Sequence, residues 1–159
     1  MEQQEAQIKL KELLKNAHTG TLATTEMNDT IVSRPMALQQ VEFDGDLWFF
    51  TNRSSDKVHK LEHHEQVNVV FESNNTWVSV SGYAEMVEDR AKAEELWNPL
   101  VKAYHRDGLK DPELILIKVQ ANSSEYWDSD NKLVSLVKIA KALATDVTPD
   151  LSDYSTMTF

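Results

Sequence analysis

The feature that most constrains the fold is a series of extended, apolar runs separated by short turns. The clearest runs are Leu47–Thr51 and Val67–Glu72. An Asp-Gly-Asp sequence at 44–46 predicts a hairpin before the first run, and Ser-Asn-Asn at 73–75 predicts another after the second. Short turns join antiparallel neighbours, whereas parallel strands need long crossovers. The sequence therefore predicts a mainly antiparallel sheet and argues against a doubly wound nucleotide-binding fold.

Further β-like runs extend this sheet. They are Thr21–Thr25, Ile31–Phe43, Thr76–Glu88 and Leu114–Gln120, which Glu125–Asp128 continues. In the run after the second turn, Trp77, Tyr83 and either Val78 or Val80 are predicted to face inward. Gly82 in the same run indicates a bulge or a close backbone approach. Closure into a small barrel removes exposed sheet edges, so we expect a barrel with peripheral helices.

Three helices are predicted before and between the later strands. Apolar residues in 6–17 recur with the period of a helix. One of the three residues Ser-Ser-Asp at 54–56 is expected to cap a short helix that ends near His64. Asp89 is expected to cap a longer helix, which Pro99 should kink or split.

The chain of 159 residues has the length of one domain, so a single domain over residues 1–159 is expected. A last helix is predicted over 132–144, with an apolar stripe along one face. Residues 145–159 lack any periodicity and are predicted to form a loose tail.

The net charge excludes several classes of partner. Sixteen Lys and Arg stand against 26 Asp and Glu, which gives a net charge of −10. Nucleic acids and anionic membranes attract cationic proteins, so neither is an expected partner. The chain has no cysteine and therefore no thiolate chemistry. The first segment is too charged for a signal peptide and no apolar run is long enough to span a membrane, so a soluble, cytoplasmic protein is expected.

One short segment reverses this acidic balance. Residues 51–60 carry Arg53, Lys57 and Lys60 against Asp56, a local net charge of +2. They follow an aromatic strand and include hydroxyl side chains at a helix start, where free N–H groups favour phosphate. The segment is therefore a candidate phosphate site. The alternative is an ordinary capped helix with a solvated basic face.

Several motifs occur in an order that resembles a known family. They are GTLATT at 20–25, SRPM at 33–36, LWFFTNRSSDKVHKL at 47–61, VSGYAEMVED at 80–89 and EYWD at 125–128. Together they resemble the pyridoxamine 5′-phosphate oxidase-like proteins, and most of all the small general stress protein branch of that FMN-binding superfamily. The resemblance implies a mainly β (α+β) fold, a six-stranded antiparallel split β-barrel, and a homodimer with a flavin in each dimer cleft.

The resemblance also implies the flavin-binding residues. Arg34 would lie near the ring or the phosphate, with the backbone of Pro35 and Met36 against the ring. Phe50 and Thr51 would line the isoalloxazine. Ser55 and Lys57 would hold the phosphate, with Asn52 and Ser54 near them. Two tryptophans complete the set: Trp77 stands where the family often has a polar ring contact, and Trp127 would come from the second subunit to cover the ring.

The sequence departs from the oxidases at their cationic positions. The oxidases carry Ser-Arg-Lys where this chain has Ser-Asp-Lys at 55–57. The lysine expected a few residues after Arg34 is replaced by Leu-Gln-Gln at 38–40. The basic substrate motif at the C-terminus of the oxidases has no match. A substrate phosphate needs such cations, so pyridoxamine phosphate is not the expected substrate, and the flavin is expected to be FMN or FAD.

The resulting hypothesis is a flavin-dependent oxidoreductase of unknown substrate, with no catalytic residue assigned. A non-catalytic flavin-binding or stress-response module is the first alternative. A barrel that binds haem or a deazaflavin, as some relatives of this superfamily do, is the second; His59 and His63, four residues apart, are compatible with haem but do not select it. No third ligand follows at a metal-site spacing, so no metal site is predicted. His18 and His105 are expected to be surface or cap residues.

Overall fold

The computed structural model describes residues 3–39, 45–129 and 152–158, and these form one antiparallel sheet with short helices around it. The helices are α1 (Gln3–Leu14), α2 (Asp56–Leu61), α3 (Arg90–Leu96) and α4 (Pro99–Tyr104), and a 3-10 turn lies at Gly108–Lys110. The strands are β1 (Thr19–Thr25), β2 (Ile31–Ala37), β3 (Asp46–Asn52), β4 (Gln66–Ser73), β5 (Thr76–Val87), β6 (Leu114–Ser129) and β7 (Ser152–Thr158).

Six strands follow one another in the order β2-β1-β4-β5-β6-β3, and every pairing is antiparallel. The ends of this path meet just beyond β2, where the backbone N–H of Gln39 donates to the carbonyl of Trp48 at 3.3 Å. β7 pairs with the second half of β6, beyond the reach of β3. The predicted six-stranded antiparallel split barrel is confirmed.

The two predicted hairpins have different outcomes. Asn74 and Asn75 both have positive φ, 52° and 63°, which is the geometry of a two-residue turn between β4 and β5. The hairpin predicted at 44–46 is wrong, because β2 and β3 lie at opposite ends of the strand order. β3 pairs instead with β6, a strand some seventy positions later in the chain. Residues 40–44, in which the predicted run ended, lie outside the described residues.

The orientation of β5 also differs from the prediction. Val78, Val80 and Ala84 are buried on its inner face, so the alternating residues face outward. Trp77 is 51% exposed and Tyr83 is 42% exposed, and their inward assignment is wrong. Both residues have odd numbers, like the other residues of the outer face. The alternation of inward and outward residues along β5 therefore decides which side chains are buried, and the size of the aromatic side chains does not.

The bulge predicted at Gly82 is confirmed. Ser81 pairs with Ser123, but Gly82 pairs with Ala121, which leaves Asn122 as the extra residue on β6. The β5 backbone approaches β6 closely at this point, and a side chain at Gly82 would have no room.

Two apolar clusters flank β3. The barrel interior contains Leu22, Phe49, Val69 and Ile117, all fully buried. A second cluster lies on the outer side of β3, where α3 and α4 cover it, and it includes Trp48, Phe50, Leu96, Val101 and Leu116. β3 is therefore buried on both faces, which holds its last residues firmly in place.

Local sequence signals correctly predicted the two helices between β5 and β6, which are α3 and α4. Asp89 accepts the backbone N–H of Lys92 at 3.0 Å and caps α3. The helix splits at Pro99, which becomes the first residue of α4. The short helix after β3 ends at Leu61, earlier than predicted.

The C-terminal prediction is wrong in part. Residues Ser152–Thr158, predicted as tail, form β7 in register with β6. β7 forms because β6 offers it a partner strand. The residues of the segment therefore show no periodic pattern of their own that would predict a strand. The predicted helix at 132–144 lies outside the described residues.

Candidate functional site

A cavity of about 480 Å³ lies where the barrel opens between the ends of β2 and β3. It is larger than the cavities of about 360 and 290 Å³ that lie at the outer face of the sheet and beside α3. Six of the predicted flavin-binding residues line it: Pro35, Met36, Phe50, Thr51, Asn52 and Lys57. The opposite wall comes from α4. Because β3 is fixed on both faces, the side chains at its end are held by packing.

Polar side chains converge at one end of the cavity. The ammonium group of Lys57 donates to the Thr51 hydroxyl at 3.0 Å. The hydroxyls of Thr51 and Ser55 are 3.3 Å apart. Ser55 precedes α2 in extended conformation and makes no side-chain cap bond to the helix, which leaves its hydroxyl beside Thr51. These three side chains form what we call the Lys57 cluster.

Arg34 adds a second cation near this cluster. Its guanidinium donates to the buried Thr24 hydroxyl at 3.0 Å. Burial lowers the pKa of Lys57, the positive charge of Arg34 lowers it further, and Asp56 opposes the change. Two cations close enough to disfavour each other form a site that an anion would stabilise.

The outer side of the 51–55 turn is engaged elsewhere. The backbone N–H of Ser54 donates to the Glu113 carboxylate at 3.1 Å, and Arg53 forms an ion pair with Glu88. Hydrogen bonds from Ser54 lower the pKa of Glu113. The structure thus brings Ser54 to Glu113, although its neighbour Ser55 belongs to the Lys57 cluster.

The two tryptophans of the predicted site lie outside the cavity of their own chain. Trp77 and Trp127 face each other in register on β5 and β6. Trp77 is on the outer face and half exposed.

The helix α4, which the sequence analysis did not assign to the site, forms the second wall. It contributes Leu100, Val101, Tyr104 and the residue that ends it, His105. Leu100 and Tyr104 are largely exposed at the mouth, whereas Val101 is buried. Val101 and His105 are four residues apart, the spacing of one helix face, and this is the signal that would have placed His105 inside.

The position of His105 in this wall differs from the prediction. The residue is only 8% exposed, so its assignment to the surface is wrong, although it does cap α4. Its ring centre lies 6.3 Å from that of Phe50. Burial lowers the pKa of His105, Asp111 opposes the change, and Lys57 lowers it further. The imidazole is therefore biased toward its neutral form.

A pair of amides holds α4 in place. Asn98 accepts the backbone N–H groups of Leu100 and Val101 at 3.0 and 3.2 Å. Its own amide donates to the Gln39 side chain at 2.8 Å. Gln39 is one of the residues that replace the expected lysine, and it ties the end of β2 to the start of α4.

His59 lies in α2, and His63 follows just after its end. His59 lies 3.8 Å from the Glu62 carboxylate, and both side chains are exposed. Among the described residues, no three His, Cys, Asp or Glu side chains are grouped to hold a metal ion. In the same part of the chain, no helix is long and apolar enough to cross a membrane.

The curled sheet and the cation-bearing cavity at its opening define a split-barrel protein. A model of the family described as pyridoxamine 5′-phosphate oxidase like matches residues 5–150. The chain belongs to this pyridoxamine 5′-phosphate oxidase-like family, as its motifs predicted.

Three relatives illustrate the range of the family. Protein bli-3 of Neurospora crassa is 35% identical over 130 residues, which cover 74% of this chain and 62% of that protein. The general stress FMN/FAD binding protein of Xanthomonas citri is 30% identical, with a TM-score of 0.71 over 81% of this chain and 92% of that one. A Jannaschia sp. CCS1 protein assigned to general stress protein 26 shares the fold at a TM-score of 0.75, with 24% identity over 98% of this chain and 99% of that one.

Proposed function

We propose that this protein binds a flavin nucleotide, FMN or FAD, in the cavity between β2, β3, α2 and α4. The observation that carries the proposal is the Lys57 cluster, which sets an ammonium and two hydroxyls beside an apolar wall. A relative of 30% identity is described as an FMN/FAD binding protein, which supports the same ligand.

The donor set fits the two halves of such a ligand. A phosphate needs cations and hydroxyl donors, and Lys57, Thr51 and Ser55 offer both. A flavin ring needs flat apolar surroundings, which Met36 and Phe50 offer. The volume of about 480 Å³ lies within the usual range for sites of small ligands.

In this proposal the protein is an oxidoreductase whose substrate is unknown. A bound flavin supplies the redox chemistry, and the protein supplies position and electrostatics. Lys57 and Thr51 hold the phosphate, while Phe50 and the apolar side chains of α4, Leu100 and Val101, exclude water from the ring. No side chain is assigned an acid or base role.

A homodimer through the outer face of the sheet is part of this proposal. In the middle of that outer face, β2, β1, β4 and β5 carry uncharged side chains, although 26% of the chain is charged. Its residues are aligned in register: Ser33, Ala23, Asn68 and Ser81 in one row, and Pro35, Thr21, Val70 and Ser79 in the next. Trp127 does not line the cavity of its own subunit, which supports a role in covering the flavin ring in a partner subunit. Sedimentation should give a dimer, and Ser79→Arg should shift it to monomer; a monomeric wild-type protein would contradict the assignment.

The direct test is removal of the Lys57 charge. Lys57→Ala should weaken FMN binding by about 1–3 kcal/mol, or roughly 5- to 150-fold, because a charge-assisted phosphate contact is lost. Flavin fluorescence titration measures the dissociation constant. Lys102→Ala is the matched control, since Lys102 is an exposed lysine of α4 and its removal changes the net charge equally. Equal affinities for the two variants, or a wild-type protein that takes up neither FMN nor FAD, would overturn the proposal.

A non-catalytic flavin-binding module is the second candidate. The observation that favours it is that Gln39, from the segment 38–40 in which a lysine of the oxidases is expected, is bonded to Asn98 at the start of α4. Flavin reduction by NADH or NADPH, measured against free flavin, separates the two. Turnover no faster than free flavin would favour the module.

A further inference from the structure

His105 is a buried titratable group in the cavity wall to which the proposed function gives no role. It faces the same space as Lys57 and Thr51, but it reaches that space from α4, on the opposite side. We propose that His105 is a proton-linked anion contact, neutral in the ligand-free protein and protonated when a phosphate group lies beside Lys57. This inference rests on the proposed function, because the phosphate is that of the flavin nucleotide.

The charges around His105 support this role. Lys57 on α2 acts against a positive imidazole, and Asp111, which follows the 3-10 turn, acts in its favour. β3 presents the apolar ring of Phe50. The charged or titratable neighbours along its own segment are exposed: Lys102, Tyr104, Arg106 and Asp107.

A bound phosphate dianion would favour the protonated form of His105. It neutralises the Lys57 charge that disfavours the imidazolium and adds an attractive charge of its own. The same anion gains a third cation that is present only with the ligand, whereas a permanently positive side chain buried at position 105 would repel Lys57 in the ligand-free protein. Arg34 acts on Lys57 in the same repulsive sense. Two like charges already occupy the site, so a third that forms only with the ligand costs less stability.

The experiment compares FMN with riboflavin, which has the ring but no phosphate. Calorimetric titrations in buffers of different ionisation enthalpy count the protons taken up on binding. With wild-type protein, FMN should bind with net proton uptake near neutral pH, and riboflavin should bind without it. The FMN affinity should rise by up to about tenfold as the pH falls from about 8 to about 6, because a rise of one pKa unit on binding corresponds to tenfold.

Two variants isolate the imidazole. His105→Asn and His105→Gln should both lose the proton uptake, and their FMN affinity should stay constant or fall toward pH 6 as the phosphate itself loses charge. His59→Asn removes an exposed histidine of α2 and should keep the wild-type profile. A purely structural His105 would lower affinity at every pH and leave the profile unchanged.

An NMR measurement on the wild-type protein does not depend on whether the variants fold. The imidazole Cε1–Hε1 signal of His105 in wild-type protein should titrate at higher pH with FMN than without it. FMN binding without that change, or with proton uptake retained in a folded His105→Gln protein, overturns the inference and leaves the flavin site intact. If the protein takes up no flavin, the proposed function fails first. The imidazole titration in inorganic phosphate against chloride then decides, and no difference overturns the inference as well.

Discussion

The contact of β5 with β6 at the bulge predicts a large cost for the smallest substitution, Gly82→Ala. An ideal Cβ at Gly82 would overlap the carbonyl oxygen of Gln120 and lie 2.9 Å from its carbon, whereas ordinary contacts begin near 3.4 Å. The Val119 side chain stands 3.2 Å away on the other side. Both strands are held in the middle of the sheet, so neither is free to retreat. Overpacking of this kind costs about 1–3 kcal/mol, and a backbone obstacle argues for the upper end.

Gly108→Ala provides the comparison. Gly108 has φ +71°, but nothing lies within 4 Å of the position that a Cβ would take there, so its cost is that of a left-handed alanine alone, about 1–2 kcal/mol. Urea unfolding at one protein concentration measures the free energy of unfolding of both variants, since a dimer would make it concentration-dependent. Gly82→Ala should be the less stable of the two. A loss below about 0.5 kcal/mol at Gly82 would refute the reasoning, because β6 would then have moved at no cost.

Two further predictions concern the wall of the cavity. Asn98→Ala should lower the free energy of unfolding by about 1–3 kcal/mol, through loss of the α4 cap and the bond to Gln39, and should lower the melting temperature by several degrees. Asn98→Asp keeps the cap acceptor and loses only the two bonds that the amide donates, to Gln39 and to the Leu96 carbonyl, so a cost equal to that of the alanine variant would contradict this account. The lowered pKa of His105 means that the unfolded chain binds the proton more readily, so ligand-free protein should lose stability as the pH falls below about 6.5, toward the folded pKa. Urea unfolding of wild type and His105→Asn at several pH values checks this, and equal slopes would contradict it.

The elements that could be predicted from the sequence are those whose cause is local. Asp89 caps α3 and Pro99 begins α4 because a cap bond and a missing N–H act within one helical turn. The turn at Asn74 is of the same kind, since two left-handed residues between strands are a property of the turn itself. The Lys57 cluster also lies within seven consecutive residues, and its members were all predicted.

The features that could not be predicted depend on distant partners. β7 exists because β6 extends beyond β3 and offers it an unpaired edge. The buried state of His105 depends on the packing of α4 against β3, to which the bond from Asn98 to Gln39, 59 residues earlier, contributes. The exposed positions of Trp77 and Tyr83 follow from the parity of β5, which a list of apolar residues does not reveal.

The position of the cavity follows from the way the barrel is closed. Along the six-stranded path, five pairs of neighbouring strands are joined by ladders, whereas among the described residues the ends of β2 and β3 are linked by the bond from Gln39 to Trp48. The side chains at the ends of these two strands are therefore not covered by a paired neighbour, and α2 and α4 pack over the opening from two sides. A ligand that enters there contacts four elements at once without breaking a ladder bond. Substitutions on the cavity side of α4 remove no ladder bond, because α4 lies outside the sheet. Differences in specificity between members of this family are thus expected to lie in the segment between β5 and β6, where α4 and His105 are found.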